Sequence, residues 1–129
     1  MFTVNQIIAH LVGDYLLQSN WMAHEKISKF WVALVHGLFY SLPFFLITQS
    51  TSALMVIIVN HAVIDRWRLA KYVGWAKNQI GPPNYWYHFK KANSQGYPKN
   101  TPEWLSNFLL FVTDNTMHII INALAIYYL

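Results

Sequence analysis

The sequence predicts an all-α protein, an integral membrane four-helix bundle with a long cytoplasmic loop between helices 3 and 4. Composition is the first reason: 55% of the residues are hydrophobic and only 11% are charged, whereas about 25% are charged in ordinary soluble domains. The second reason is the recurrence of apolar runs close to the roughly 20 residues that cross a bilayer as a helix. The length of 129 residues predicts a single transmembrane domain, residues 1–129.

The predicted spans cover residues 2–18, 30–48, 52–72 and 104–129. Span one is short and unusually polar, and Pro43 is expected to kink span two. The connection Gln49–Thr51 is so short that spans two and three should form an antiparallel hairpin. The connection from Ala76 to Glu103 holds four of the five prolines, which predicts a loop and not a long helix.

The basic residues predict the orientation. All nine Lys and Arg lie between spans one and two, or at the end of span three and beyond it. Four spans put these two connections on one side, and the positive-inside rule makes that side cytoplasmic, with both termini outside. The net charge of +4 is therefore attributed to topology, and no nucleic acid partner is expected. The absence of cysteine excludes disulfides and thiolate metal sites, and no cleavable signal is evident after Met1.

Every aspartate and four of the six histidines lie inside predicted spans. Six of these seven residues form pairs four positions apart, and such pairs share a helix face. The pairs are His10 and Asp14, His61 and Asp65, and Asp114 and His118. Three unpaired aspartates in a bilayer would cost roughly 8–10 kcal/mol on insertion scales. Each span therefore carries one stripe of polar side chains, with His36 in that of span two, and the stripes are expected to face one another.

The stripes fall at overlapping depths, roughly 6–20 Å from the cytoplasmic face, which predicts one shared site. Imidazoles and carboxylates without thiolates suit Zn²⁺, Mn²⁺ or Fe²⁺. The candidate ligands are His10, His36, His61, His118, Asp14, Asp65 and Asp114. They could serve one ion, with some residues orienting the ligands, or two ions about 3.5–4 Å apart. A purely structural polar network and a proton or ion path remain as alternatives.

Other residues have weaker assignments. Gln18, Tyr40 and Asn122 continue the stripes and are expected to hydrogen-bond to the ligands. Lys26, Arg66 and Arg68 are candidates for contacting substrate or lipid headgroups, although the arginines could instead pair with Asp65. The aromatic and basic segment 84–91 is interpreted as an interfacial loop, or as a binding segment for lipid phosphate or nucleic acid. Gly13 and Gly37 could mark close helix approach.

The segment "AHLVGDYLLQSNWMAHEK" (9–26), followed by "LVHGLFY" (34–40), resembles small bacterial and phage membrane proteins grouped as domain of unknown function 3307. The residues that carry the resemblance are His10, Asp14, Gln18, Lys26 and His36. "NHAVIDRWR" and "TDNTMHI" are similar to the later His/Asp elements of that family. More loosely, the chain resembles inner-membrane proteins classed as metal-dependent hydrolases. The resemblance implies a multi-pass protein of the bacterial inner membrane.

The resulting hypothesis is a membrane-embedded, metal-dependent hydrolase acting on a lipid-linked or phosphorylated substrate near the cytoplasmic leaflet. Asp14, Asp65 and Asp114 are the candidate catalytic residues, as metal ligands or as a general base that acts on water. One rival is a non-enzymatic membrane protein with a structural His/Asp core and a cytoplasmic loop that binds a protein partner. The other is a small proton or ion conduit.

Overall fold

The computed structural model describes residues 2–129, and this part of the chain contains six α-helices and no β-strand. The helices are α1 (Val4–Leu11), α2 (Asn20–Glu25), α3 (Phe30–Ser41), α4 (Thr51–Trp67), α5 (Ala70–Lys77) and α6 (Glu103–Tyr128). A π-helical turn, Val12–Leu16, continues α1, and a 3₁₀ turn, Leu42–Leu46, continues α3. The fold class predicted from the sequence, all-α, is confirmed.

Side-chain caps start several of these helices where the sequence supplies a hydroxyl. Thr3 and Gln6 form a capping box at the start of α1, in which each side chain accepts a hydrogen bond from the other residue's backbone N–H. Ser19 caps α2 and Ser50 caps α4 in the same position. These caps satisfy N–H groups that have no partner within the helix.

Helical segments lie within the first three predicted spans and are shorter than those spans. Pro43 lies in the 3₁₀ turn that ends α3, so the change of helix type occurs where a proline removes a backbone donor. Within the predicted span 52–72, α4 stops at Trp67. Arg68 follows in the left-handed conformation with φ 48°, and its N–H donates to carbonyls of the last turn.

The chain divides into two compact units. The first unit takes the residues up to Arg68 together with Met117–Leu129, and the second takes Leu69–Thr116. Two glycines allow close packing inside the first unit. A Cβ on Gly13 would lie 2.6 Å from the Tyr40 carbonyl oxygen, and one on Gly37 would lie 2.8 Å from that of Ile58. Gly13 thus lets the π-helical turn approach α3, and Gly37 lets α3 approach α4.

The second unit has little regular structure between α5 and α6. Short 3₁₀ turns occur at Pro83–Tyr85 and Phe89–Lys91, and Ala92 forms an isolated antiparallel bridge with Pro98. Tyr87 anchors this segment, since its hydroxyl donates to the Gly96 carbonyl and its backbone bonds to Trp75 and Gln79. The predicted absence of a long helix between Ala76 and Glu103 agrees with this arrangement.

Among the described residues, only α6 is long and apolar enough to cross a membrane by length and composition. The helix has 26 residues, and 22% of its most apolar 18-residue stretch is buried. The continuous helical segment Phe30–Leu46 is apolar but shorter, and α4 has 17 residues. A single helix of this kind is weak evidence for a membrane protein, because a buried core helix or a signal sequence has the same length and composition.

Candidate metal centre

Four side chains of the first unit point one atom each toward a common centre. Asp14 comes from the π-helical turn, His36 from α3, and His61 and Asp65 from successive turns of α4. All four residues are buried. The atoms are Asp14 Oδ1, His36 Nε2, His61 Nε2 and Asp65 Oδ2.

All four atoms lie within 4.8 Å of one another, and the distances that involve an imidazole nitrogen are close to or somewhat shorter than the edges of a tetrahedral shell. His36 Nε2 lies 3.2 Å from Asp14 Oδ1 and 3.4 Å from Asp65 Oδ2. The corresponding distances from His61 Nε2 are 3.3 Å and 3.2 Å, and the two Nε2 atoms are 2.9 Å apart. Zinc–nitrogen and zinc–oxygen bonds of about 2.0–2.2 Å require tetrahedral ligand atoms to lie roughly 3.3–3.5 Å from one another. These atoms could therefore hold a small divalent cation with little rearrangement.

Hydrogen bonds connect part of this set, since His36 Nε2 lies 3.2 Å from Asp14 Oδ1 and 2.9 Å from His61 Nε2, and a cation could connect all four atoms. Two Nε2 atoms at 2.9 Å can share only one hydrogen between them. Within residues 2–129, Nδ1 of His36 and Nδ1 of His61 are buried without a hydrogen-bond partner. A neutral imidazole that keeps its hydrogen on Nδ1 presents the Nε2 lone pair to the centre, as a metal ligand must. A shared cation would use both lone pairs at once.

The charge of the centre also suits a cation. Among residues 2–129, one lysine and no arginine pairs with the two aspartates: Lys26 Nζ lies 2.7 Å from Asp65 Oδ2. If the histidines are neutral, the cluster keeps one unbalanced negative charge in a buried position. Such a charge is costly unless it is compensated, and a divalent ion would compensate it.

Tyr40 packs against one candidate ligand and contacts two further polar side chains. Its ring stacks on the His61 ring with centroids 3.6 Å apart and an interplanar angle of 15°. Its hydroxyl lies 2.7 Å from His10 Nδ1 and accepts a hydrogen bond from Asn122 Nδ2. Tyr40 thereby fixes the orientation of one candidate ligand and links two further polar residues to it, which is the role expected of groups around a metal site.

His118 and Gln18 contact the two carboxylate residues. His118 Nε2 lies 3.4 Å from Asp65 Oδ1, the oxygen that is not directed at the centre. The His118 ring lies 4.2 Å from the His61 ring and 6.0 Å from the His10 ring. The Gln18 amide donates to the backbone carbonyl of Asp14 at 3.3 Å. Both carboxylate residues are thus held in position by side chains from other turns or other helices.

A sequence profile of the family described as "Protein of unknown function (DUF3307)" matches residues 2–129. The chain belongs to this family. No curated protein and no solved structure shows significant similarity to it. The resemblance to domain of unknown function 3307 is confirmed. Among the residues that carried it, Asp14 and His36 direct atoms at the centre and Lys26 pairs with Asp65.

In this DUF3307 chain, the structure brings most of the predicted site residues together. Those at or touching the centre are Asp14, His36, His61, Asp65, His10, His118, Tyr40, Asn122, Gln18 and Lys26. Asp114 lies one turn before His118 on α6, in the second unit, and is half-buried. Their roles as ligands or catalytic groups remain predictions.

The closest histidines to Asp14 differ from the one predicted from the sequence. His10 and Asp14 were expected to act as a pair on one helix, but His10 Nδ1 lies 3.8 Å from Asp14 Oδ2. The other Asp14 oxygen approaches His36 and His61, on two other helices, more closely. His36 has no acidic residue four positions away, so the sequence predicted it as a ligand from its depth in span two and not from a His/Asp pair.

Arg66 and Arg68, which were predicted to contact substrate or lipid headgroups, lie at the C-terminal end of α4. Arg66 donates from Nη1 to the Ile27 carbonyl at 2.9 Å, and its guanidinium group lies 5.6 Å from the Trp67 ring centroid. Arg68 occupies the left-handed position after α4. Neither arginine forms an ion pair with Asp65 within the described chain, where the basic partner of Asp65 is Lys26.

Proposed function

We propose that this chain is a membrane-embedded, metal-dependent hydrolase that acts on a lipid-linked or phosphorylated substrate near the cytoplasmic leaflet. The observation that supports the proposal is the set of four buried ligand atoms, from two histidines and two aspartates, that lie within 4.8 Å of one another. Asp14, His36, His61 and Asp65 would hold the ion, which would be Zn²⁺, Mn²⁺ or Fe²⁺.

A divalent ion in this position would polarise a phosphoryl or carbonyl oxygen and activate water at neutral pH. The chain's own residues would supply the rest of the chemistry. Asp14 and Asp65 each keep a second carboxylate oxygen beyond the one directed at the centre, and either oxygen could accept a proton from water. Tyr40 and His118 would keep the imidazole and carboxylate groups in place.

The distribution of polarity in the first unit supports the membrane part of the proposal. Buried side chains include Gln6, His10, Asp14, His36, His61 and Asp65. Apolar side chains of the same helices lie outside, and Ile8, Leu11, Leu38, Leu42, Phe45 and Leu46 are 46% to 91% exposed. Exposed apolar surface around a polar interior is unfavourable in water and favourable in lipid. We infer a multi-pass protein of the bacterial inner membrane with both termini outside.

Metal content of the full chain tests the proposal. Protein purified in dodecyl maltoside without chelator should carry one divalent ion per chain, measured by elemental analysis. Asp14→Asn should keep the fold and lower metal affinity by more than about 100-fold, since removing a group that only supports a ligand costs about 10–100-fold. His61→Ala should lose the ion as well. His88→Ala is the matched control, because His88 is exposed and belongs to the second unit.

The structural rival predicts a different outcome. If the polar core only holds the bundle together, the wild type carries no ion, chelator does not change its thermal unfolding, and Asp14→Asn folds normally because asparagine still forms hydrogen bonds. That combination would overturn the metal-dependent hydrolase and favour the structural reading. Loss of the ion in His61→Ala with retention in His88→Ala would support the proposal.

A further inference from the structure

Lys26 is the most accessible charged group that touches the candidate metal centre. Its side chain is 16% exposed, compared with 5% for Asp65 and 9% for Asp14. It follows the last turn of α2 and reaches Asp65 Oδ2 on α4. A ligand that approaches the centre from solvent or from headgroups would therefore meet the Lys26 ammonium group on this side.

Arg66 contacts the backbone of the residue that follows Lys26, and one of its N–H donors has no partner among residues 2–129. It directly follows Asp65 in α4, and its Nη1 donates to the carbonyl of Ile27, the residue after Lys26. Arg66 Nε is buried and has no hydrogen-bond partner among residues 2–129, and Arg66 forms no ion pair there. A buried, charged N–H donor without an acceptor is unfavourable unless a ligand supplies one.

We propose that Lys26 and Arg66 bind a phosphate group of the substrate at the edge of the metal centre. This inference rests on the proposed function and adds the class of group that is recognised. Lysine binds phosphate as a point charge, and arginine offers a planar fork of donors that matches two phosphate oxygens. The Ile27 carbonyl and the Trp67 ring hold the guanidinium group in place before the anion arrives.

The position of the two cations favours phosphate over a neutral group. Lys26 contacts Asp65, which also directs an oxygen at the centre, so an anion on Lys26 would lie next to the candidate ion. Phosphate could then contact the ammonium group, the guanidinium group and the ion. A phospholipid headgroup and a soluble phosphate ester present the same chemistry to this site.

Phosphorus-31 relaxation tests the inference with the full chain in dodecyl maltoside, which contains no phosphorus. The protein is loaded with Mn²⁺, whose unpaired electrons enhance the relaxation of phosphorus nuclei bound nearby. Inorganic phosphate is one probe, and dihexanoyl phosphatidic acid is the other. Relaxation enhancement for inorganic phosphate alone identifies a soluble ester as the source of the phosphate group. Enhancement for dihexanoyl phosphatidic acid alone identifies a lipid as the source.

Arg66→Gln should weaken phosphate binding by about 10-fold or more, the loss expected for one hydrogen bond to a charged group, while Mn²⁺ stoichiometry stays the same. Arg66→Lys, which keeps the charge, should bind more weakly than the wild type because the fork is lost. Lys29→Gln is the control, because Lys29, like Lys26, lies between α2 and α3 but pairs with Glu25 and is half-exposed. It should bind phosphate as the wild type does.

The two proposals can fail separately. If Mn²⁺ binds to the wild type and neither probe shows relaxation enhancement, the phosphate site is overturned and the metal centre stands. Equal phosphate binding by the wild type and Arg66→Gln also overturns it. If no metal binds but calorimetry shows phosphate binding that Arg66→Gln abolishes, the phosphate site is supported and the metal-dependent hydrolase is rejected.

Discussion

The two units of the chain differ in their histidines, since the first contains four buried histidines and the exposed His24, and the second contains the exposed His88. In the first unit, His10, His36, His61 and His118 are each at most 1% exposed, and all contact other polar side chains. In the second unit, His88 is exposed in a segment that also exposes Ile80, Tyr85 and Trp86. The first unit therefore packs ionisable groups around a shared centre, whereas the second presents aromatic and basic groups outward.

The contacts that stabilise each unit differ accordingly. The first unit depends on side chains that meet across helices, so its geometry depends on the contacts among His36, His61 and Asp65. The connecting segment of the second unit is held by neutral hydrogen bonds around Tyr87. Changes to metal or phosphate should therefore affect the first unit and leave the second unit's own stability unchanged.

The largest expected effect concerns membrane sidedness, which the basic residues predict. Residues 69–102 contain five lysines and no acidic residue, and the positive-inside rule places such a segment in the cytoplasm. A fluorescent-protein fusion inserted after Lys91 should fluoresce, and an alkaline phosphatase fusion at Leu129 should be active outside. A fusion at Gln49 serves as the control for the hairpin and should resemble the one at Leu129.

The four-span topology would be wrong if alkaline phosphatase at Leu129 were inactive and a fluorescent protein at the same position were fluorescent. The residues after the connecting segment would then not cross the membrane, and the proposed contrast between an embedded first unit and a cytoplasmic connecting segment would fail.

Sequence periodicity was sufficient for some features of the fold and the site. Pairs four residues apart identified His61 and Asp65 as neighbours on one face, and they lie 3.2 Å apart in the structure. Pro43 marked the end of regular α-helix in span two. Such signals are local, since each depends on a few residues that are adjacent along one helix.

Features that depend on packing between helices had no local signal. The π-helical turn adds a residue to the turn that carries Asp14, and no residue type specifies it. His36 meets Asp14 and His61 because of the rotation and close approach of α3, which a lone histidine in a sequence does not encode. The end of α4 depends on Arg68 in a left-handed conformation that favours glycine, so the sequence predicted a longer helix.

Gly13→Ala is expected to have the next largest effect. The new Cβ would lie 2.6 Å from both the carbonyl oxygen and Cδ2 of Tyr40, so backbone must move. We expect destabilisation of about 1–3 kcal/mol, as for other overpacked sites, partly offset by the better helix propensity of alanine. Because Tyr40 stacks on His61, metal affinity should also fall. Thermal unfolding and metal titration in detergent would measure both.

Gly74→Ala in the second unit is the matched control. Its Cβ would lie 3.2 Å from the Tyr97 ring, a side chain that can shift by a few tenths of an ångström. The cost should stay below about 1 kcal/mol, and metal affinity should not change. Equal effects of the two substitutions, or a Gly13→Ala protein with normal metal affinity, would contradict the coupling of Tyr40 to the centre.

The smallest effect is expected for Tyr87→Phe, which removes the hydroxyl that donates to the Gly96 carbonyl at 2.8 Å and accepts from the Asn78 amide. Loss of neutral hydrogen bonds of this kind costs about 0.5–1.5 kcal/mol. Tyr85→Phe is the control, since Tyr85 is 70% exposed and its loss of a hydroxyl should change stability by less than about 0.5 kcal/mol. Hydrogen exchange of residues 78–97 would report the local loss. The protection lost in Tyr87→Phe should be the same with and without chelator, because these bonds involve no group of the metal centre. A chelator-dependent loss would show that the stability of the second unit is coupled to the metal site of the first.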